Sequence, residues 1–152
     1  MTSEELKEKI AALFPAATFE EGGEFLNVVV PVEDWLPLAI QLRNDAELQF
    51  NFLFCVTCVD YKTNLTMVYH FRSTTLRQEL VAKCVIDKND PQIQSVSGIW
   101  KTANFHEREA FEMFGVNFLN HPDLRLLILP DGWEGRNPMR KDYEDEINMI
   151  KL

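Results

Sequence analysis

At 152 residues, 46% of them apolar and 26% charged, with only 6 Gly and 7 Pro, the chain has the length and balance of one ordered soluble domain and not of a collagen-like or disordered polymer. Its 15 Lys and Arg against 24 Asp and Glu leave a formal charge of -9, which excludes the broad cationic surface that nucleic acid requires. Three cysteines make neither a disulfide framework nor a four-thiolate cluster site, and suit a reducing compartment.

The N-terminus is acidic and amphipathic, without the basic flank and apolar core of a secretory leader. Thr2-Ser3-Glu4-Glu5 offers a capping box, and Leu6, Ile10 and Leu13 recur at helical spacing until Pro15. Phe25–Val32 reads as a strand. Glu33-Asp34 then open a helix carrying Trp35, Leu38, Ala39 and Leu42, with Pro37 near its first turn. Gln49–Asp60 and Leu65–Arg72 read as a hairpin around the turn 61–64. The longest apolar run, Phe52–Val56, has five residues, against roughly 20 for a bilayer-spanning helix. Leu76–Asp87 fits either period, and its place beside a hairpin favours strand. Asn89-Asp90-Pro91 is a turn, Val96–Trp100 a short extended piece, and Asn104 caps a helix that Gly115 stops after Phe114. A loop at 120–123 and an apolar run, Leu126–Leu129, lead into a turn-rich tail that still carries Trp133, Met139, Tyr143, Ile147 and Ile150. The sum is an α+β fold, a mixed β-sheet with helices packed against it over residues 1–129, plus an extended C-terminal arm, 130–152, that docks on a partner.

Cys55-Val-Thr-Cys58 has redox or metal spacing, but residues three apart in a strand point to opposite faces and no helix N-terminus follows to acidify a thiol. The pair therefore reads as structural. His70, His106 and His121 form no chelating pair, and position 110 is Ala where H-E-x-x-H needs a second His. Glycine-rich phosphate cradles and the nucleophile elbow are missing as well. No catalytic, cofactor-binding or metal-ligating residue is expected.

In the helix from 105 to 114, Ala110, Phe111, Met113 and Phe114 form an apolar face that also contains Glu107. A carboxylate there needs an arginine or a cluster of backbone N–H groups, with Arg125 and Arg140 as candidates. Arg108, Glu109 and Glu112 fall on the other side, and Arg108 and Glu112, four apart, are spaced to pair. That side is either a solvated surface or a partner interface. In the tail, Arg136 to Tyr143 alternates cations with apolar side chains, as a frayed end or as an arm lying on a neighbouring subunit.

Glu107-Arg-Glu-Ala-Phe-Glu-Met-Phe-Gly, His121-Pro-Asp-Leu-Arg125, Leu127-Ile-Leu-Pro, Trp133-Glu-Gly and Arg140-Lys-Asp-Tyr143 together resemble the 30-kDa (C-type) subunit family of proton-pumping NADH:quinone oxidoreductase, respiratory complex I. The resemblance runs over about residues 96 to 143. The chain departs from the family's usual pattern at Asn120, Leu126, Arg136-Asn137 and Glu144. The resemblance implies structural or interface roles for Glu107, Arg108, Glu109, Glu112, Phe114, His121, Asp123, Arg125, Trp133, Arg140, Lys141, Asp142 and Tyr143. It further implies a peripheral subunit on the cytoplasmic side of the bacterial inner membrane. Its partners would be the large quinone-site subunit of the 49-kDa type and the iron-sulfur subunits. NADH, FMN, iron-sulfur clusters and quinone would belong to the assembled complex and none to this chain. The rivals are the equivalent subunit of a membrane-bound hydrogenase or a ferredoxin- or F420-linked complex, an independent thiol enzyme, and a free acidic binding module.

Overall fold

The computed structural model describes residues 1–150; Lys151 and Leu152, the end of the expected arm, lie outside the described residues. Helix α1 (Ser3–Leu13) starts as the sequence predicts, with Thr2 and Glu5 forming a reciprocal capping box. A short strand that periodicity does not show, β1 (Thr18–Glu20), pairs antiparallel with β2 (Asn27–Val29). Strand β2 is shorter than expected because Pro31 supplies no N–H and becomes the N-cap of α2 (Val32–Asn44). Pro37 lies inside that helix.

After α2 the backbone wraps through turns, with the Gln49 amide on the Asp45 carbonyl, the Phe50 amide on the Leu42 carbonyl and Gln49 at φ 43°. Strand β3 (Phe52–Asp60) therefore begins three residues later than the apolar pattern. β3, β4 (Asn64–Ser73) and β5 (Gln78–Asp87) form an antiparallel meander, so the ambiguous third segment is a strand. β5 also pairs parallel with β2, which gives a mixed sheet in the order β1-β2-β5-β4-β3.

On one sheet face Leu65, Met67, Tyr69 and Phe71 of β4 and Leu80, Ala82, Cys84 and Ile86 of β5 are buried with Leu6 and Ile10 of α1 and Trp35, Leu38 and Leu42 of α2. Trp35 stacks on Tyr69 with ring centroids 4.1 Å apart. Trp100 packs on Phe71 and donates its indole N–H to the Phe50 carbonyl at 2.8 Å, which satisfies the one polar atom of a buried ring. The opposite face sends Phe52, Thr57, Arg72 and Val85 into solvent.

Two more three-residue strands, β6 (Gln92–Gln94) and β7 (Asn117–Leu119), pair parallel on either side of α3 (Ala103–Phe114). Val96–Trp100 is not extended. It is a turn in which the Ile99 and Trp100 amides both donate to the Val96 carbonyl. Nor does Asn104 cap the helix. Its N-cap is Thr102, whose hydroxyl is diverted to the Leu53 carbonyl at 2.6 Å and so ties α3 to β3.

Candidate docking site

Helix α3 ends where the sequence predicts, at Gly115 with φ 78°. A Cβ at Gly115 would lie 2.6 Å from the Asn137 side-chain nitrogen, so this glycine both ends the helix and lets the tail close over it.

Glu107 is fully buried, as its place on the apolar face requires. Its partners are not arginines. One oxygen accepts from the Val96 amide at 2.8 Å and the other from the Ser95 hydroxyl at 2.6 Å. Arg125 instead pairs with Asp123 on the exposed loop, and Arg140 is occupied beyond the opposite end of α3. Sequence reasoning missed Ser95 and Val96 because only the packing of β6 beside α3 brings them to Glu107. Burial raises the Glu107 carboxyl to about 7, against the lowering effect of the Ser95 and Val96 hydrogen bonds. The His121 Nε2 lies 3.8 Å from Glu107 and 3.1 Å from the Asn104 carbonyl, while its Nδ1 accepts the Asp123 amide. That arrangement selects the neutral Nε2–H tautomer.

Arg108 and Glu112 depart furthest from the helical projection. They are 6% and 2% exposed, and among their described bonds there is none between the two. Arg108 donates to the carbonyls of Arg125 at 3.1 Å and Leu126 at 2.6 Å. The Glu112 carboxylate accepts the successive amides of Leu127, Ile128 and Leu129 at 2.8 to 3.2 Å. One residue takes the carbonyls of the loop and the other takes its N–H groups. Together they fix a stretch of backbone that has no ladder of its own. The loop covers Arg108 and Glu112 on the polar side of α3 and leaves Glu109 on that side in solvent.

The fixed loop displays apolar side chains. Ile128 is 63% exposed and Leu127 39%. Glu109 is exposed on α3, Phe114 is half-buried, and the Asp123–Arg125 pair is largely in solvent, where it adds little stability.

The tail is a series of turns. Arg136 lies over the Trp133 ring at 4.6 Å, and the Tyr143 hydroxyl donates to Asp145. Between these the tail returns to its own domain. The Met139 amide donates to the Met113 carbonyl, Arg140 Nε to the Phe114 carbonyl at 2.6 Å, and the Lys141 amide to Asp60 at 2.9 Å. Ile147 and Ile150 are then about 90% exposed. In the isolated chain the Met139 and Lys141 amides are expected to exchange roughly tenfold more slowly than those of Asp131 and Glu134. Equal rates along the whole tail would contradict this anchoring.

The thiols lie as the strand argument requires. Cys55 stands opposite His70 and Cys58 opposite Met67, on different faces of the sheet. Burial pushes the thiols of Cys58 and Cys84 up to about 12, far from the thiolate a nucleophile needs. Among the described residues no group of three or more His, Cys, Asp or Glu is placed to hold a metal ion.

The respiratory-chain NADH dehydrogenase 30-kDa subunit family matches residues 28–147. The C-type subunit of the NADH-quinone oxidoreductase of Chloroherpeton thalassium is 43% identical over 115 residues, 74% of this chain and 48% of that protein, so the chain spans about half of that relative. Its counterpart in a Roseiflexus species is 40% identical over 141 residues, covering 89% of this chain and 80% of the relative. A Phocaeicola vulgatus protein, named as a C/D-type subunit of the same oxidoreductase, is 35% identical over 127 residues, 82% of this chain and 24% of its own length. Among solved structures, the trypsin-resistant fragment 1–134 of Nqo5 superposes with a TM-score of 0.71 at 26% identity, covering 81% of this chain and all of the fragment. A chain of the membrane-bound sulfane sulfur reductase, an archaeal respiratory membrane complex, reaches 0.79 at 26% identity over 93% of this chain and 85% of its own.

Proposed function

Because the chain belongs to the 30-kDa subunit family of the respiratory-chain NADH dehydrogenase, we propose that it is a structural subunit of an NADH:quinone oxidoreductase, contributing docking surfaces while other chains carry the redox chemistry. Membership makes it a component of a multi-subunit oxidoreductase. In this reading the flavin, clusters and quinone sit in neighbouring subunits, and this chain holds those neighbours in register. Among the described residues no helix is long and apolar enough to cross a membrane. In this reading the family places the chain peripherally, on the cytoplasmic side of the bacterial inner membrane.

The observation that carries the reading is the Arg108–Glu112 clamp. Burying two charges is costly unless each is fully hydrogen-bonded, and here both serve to hold a loop whose Leu127 and Ile128 side chains point away from the core. Apolar groups held rigidly in solvent are what an interface uses as anchors, since their ordering is complete before the partner arrives. The partner is the large quinone-site subunit. A relative whose name joins the C and D types, and of which this chain matches 24%, supports that pairing, because a fused protein keeps its two halves together. Iron-sulfur subunits of the same arm are the next neighbours.

Replacing Leu127 and Ile128 together by Asp is expected to cut co-purification of the large subunit at least about tenfold, while the isolated chain keeps its thermal midpoint within a few degrees. Wild-type yield of the complex in that variant would contradict the assignment. The superposition on a sulfane sulfur reductase chain shows that the fold also serves another respiratory membrane complex. The more similar sequences are named as NADH-quinone oxidoreductase subunits, and they decide between the two readings.

A further inference from the structure

Asp60 closes β3 and is 4% exposed. One of its oxygens accepts the Lys62 amide at 2.7 Å, the other accepts the Lys141 amide at 2.9 Å, and Lys88 Nζ reaches both at 3.2 and 3.0 Å. A single carboxylate thus gathers the β3–β4 turn, the residue after β5 and the tail. Lys62 is held at φ 71°, a left-handed conformation that a lysine adopts only under constraint. Arg140 completes the corner with Nε on the Phe114 carbonyl and Nη2 on the Lys88 carbonyl at 3.1 Å.

The result is a cleft of about 410 Å³ lined by Lys62, Lys88, Asn89, Arg140, Lys141 and Asp142. Four cations converge here in a chain whose formal charge is -9. Both oxygens of Asp60 are committed to the floor, and Asp142, 3.7 Å from Lys88, is 63% exposed. Counted with the carboxylates of Asp60 and Asp142, the corner holds four positive and two negative side chains, a positive balance against the sign of the whole molecule.

We propose that this corner is a second docking surface, which receives a carboxylate-bearing segment of the partner subunit. It rests on the docking reading above and adjoins the same surface. Phe114 and Met113, which receive Arg140 and the Met139 amide, are in the helical turn whose Glu112 fixes residues 127–129. With Arg140 spent on two backbone carbonyls and Lys88 on Asp60, the exposed ammonium groups of Lys62 and Lys141 are left to meet carboxylates of opposite sign. An anionic membrane is the poorer match, because the corner is concave and the net negative charge of the chain opposes approach to a flat anionic surface.

The test uses the full chain and a fluorescent octa-glutamate peptide at low salt, read by anisotropy and by backbone amide shifts. Saturable binding is expected, with shifts at Lys62, Asn89 and Lys141. The double variant Lys62→Glu, Lys141→Glu should bind about tenfold more weakly. Arg43→Glu, which removes an exposed cation on α2, should bind as wild type. Absence of binding, or equal loss in both variants, overturns the proposal. So does tighter binding to phosphatidylglycerol vesicles than to the peptide, which would assign the corner to lipid. The peptide assay needs no assembled complex. If it fails while the Leu127, Ile128 variant still loses the large subunit, only the corner falls; if it succeeds while that variant assembles normally, the clamp reading is the one at fault.

Discussion

Glu112→Ala is expected to lower the stability of the isolated chain by about 3–5 kcal/mol, a fall of roughly 10 °C in thermal midpoint for a domain of this size. Three backbone amides lose their acceptor at once, and the buried Arg108 guanidinium loses the counter-charge one helical turn away. An ordinary substitution at a charged helix position costs far less, so a loss under about 1 kcal/mol would show that the carboxylate is dispensable. The amides of Leu127, Ile128 and Leu129 should lose exchange protection before the sheet does, because the defect is confined to the loop they belong to. Glu112→Gln keeps one acceptor oxygen and should lie between Ala and wild type. Whatever frees this loop should also weaken docking, since Leu127 and Ile128 would have to be ordered at the moment of binding.

Glu107→Gln is expected to flatten the pH dependence of stability between about 4.5 and 7. With the folded-state carboxyl raised to about 7 from an ordinary 4.5, the native protein keeps a proton through this window that the unfolded chain has released. Stability therefore falls as pH rises through it, by roughly 3 kcal/mol in all, and is level with respect to this group below and above. Gln is neutral at every pH and nearly isosteric. Its carbonyl can accept from the Val96 amide and its amide can donate to the Ser95 hydroxyl. The variant should match wild type near pH 4.5 and exceed it at pH 8. Glu107 faces His121 Nε2 at 3.8 Å, and burial together with the Glu107 charge holds the Tyr69 hydroxyl up, so the difference between the two curves reports Glu107 together with its coupling to these neighbours. Parallel curves would show that the carboxylate is ionised in the fold throughout.

Much of the architecture was legible because its determinants are local. The Thr2–Glu5 capping box, the hairpin around 61–64, the helix stop at Gly115 and the opposed faces of Cys55 and Cys58 each follow from a few adjacent residues. The need for polar partners at Glu107 was equally readable, since a carboxylate on an apolar face has no other stable outcome. The identity of those partners was not. Ser95 and Val96 reach it only once β6 and β7, three residues each, are paired from positions more than twenty apart.

Helical periodicity placed Arg108 and Glu112 on one side of α3 and suggested that they pair with each other. It carries no information about what lies over that side, and residues 125–129 do. The same limit hid Asp60, which is bound to an amide 81 residues away. From its sequence alone, then, this protein's three helices and the strands of its meander, its mixed α+β class and its family were determined, because capping, period and motif spacing act over a few residues, whereas the three-residue strands β1, β6 and β7 left no such signal. Only the tertiary structure decided that the signature charges clamp a loop and that the first part of the tail is fastened to its own domain. Hydrogen bonds to backbone groups leave no trace in side-chain pattern, and their partners are chosen by chain closure over distances that local propensity does not reach.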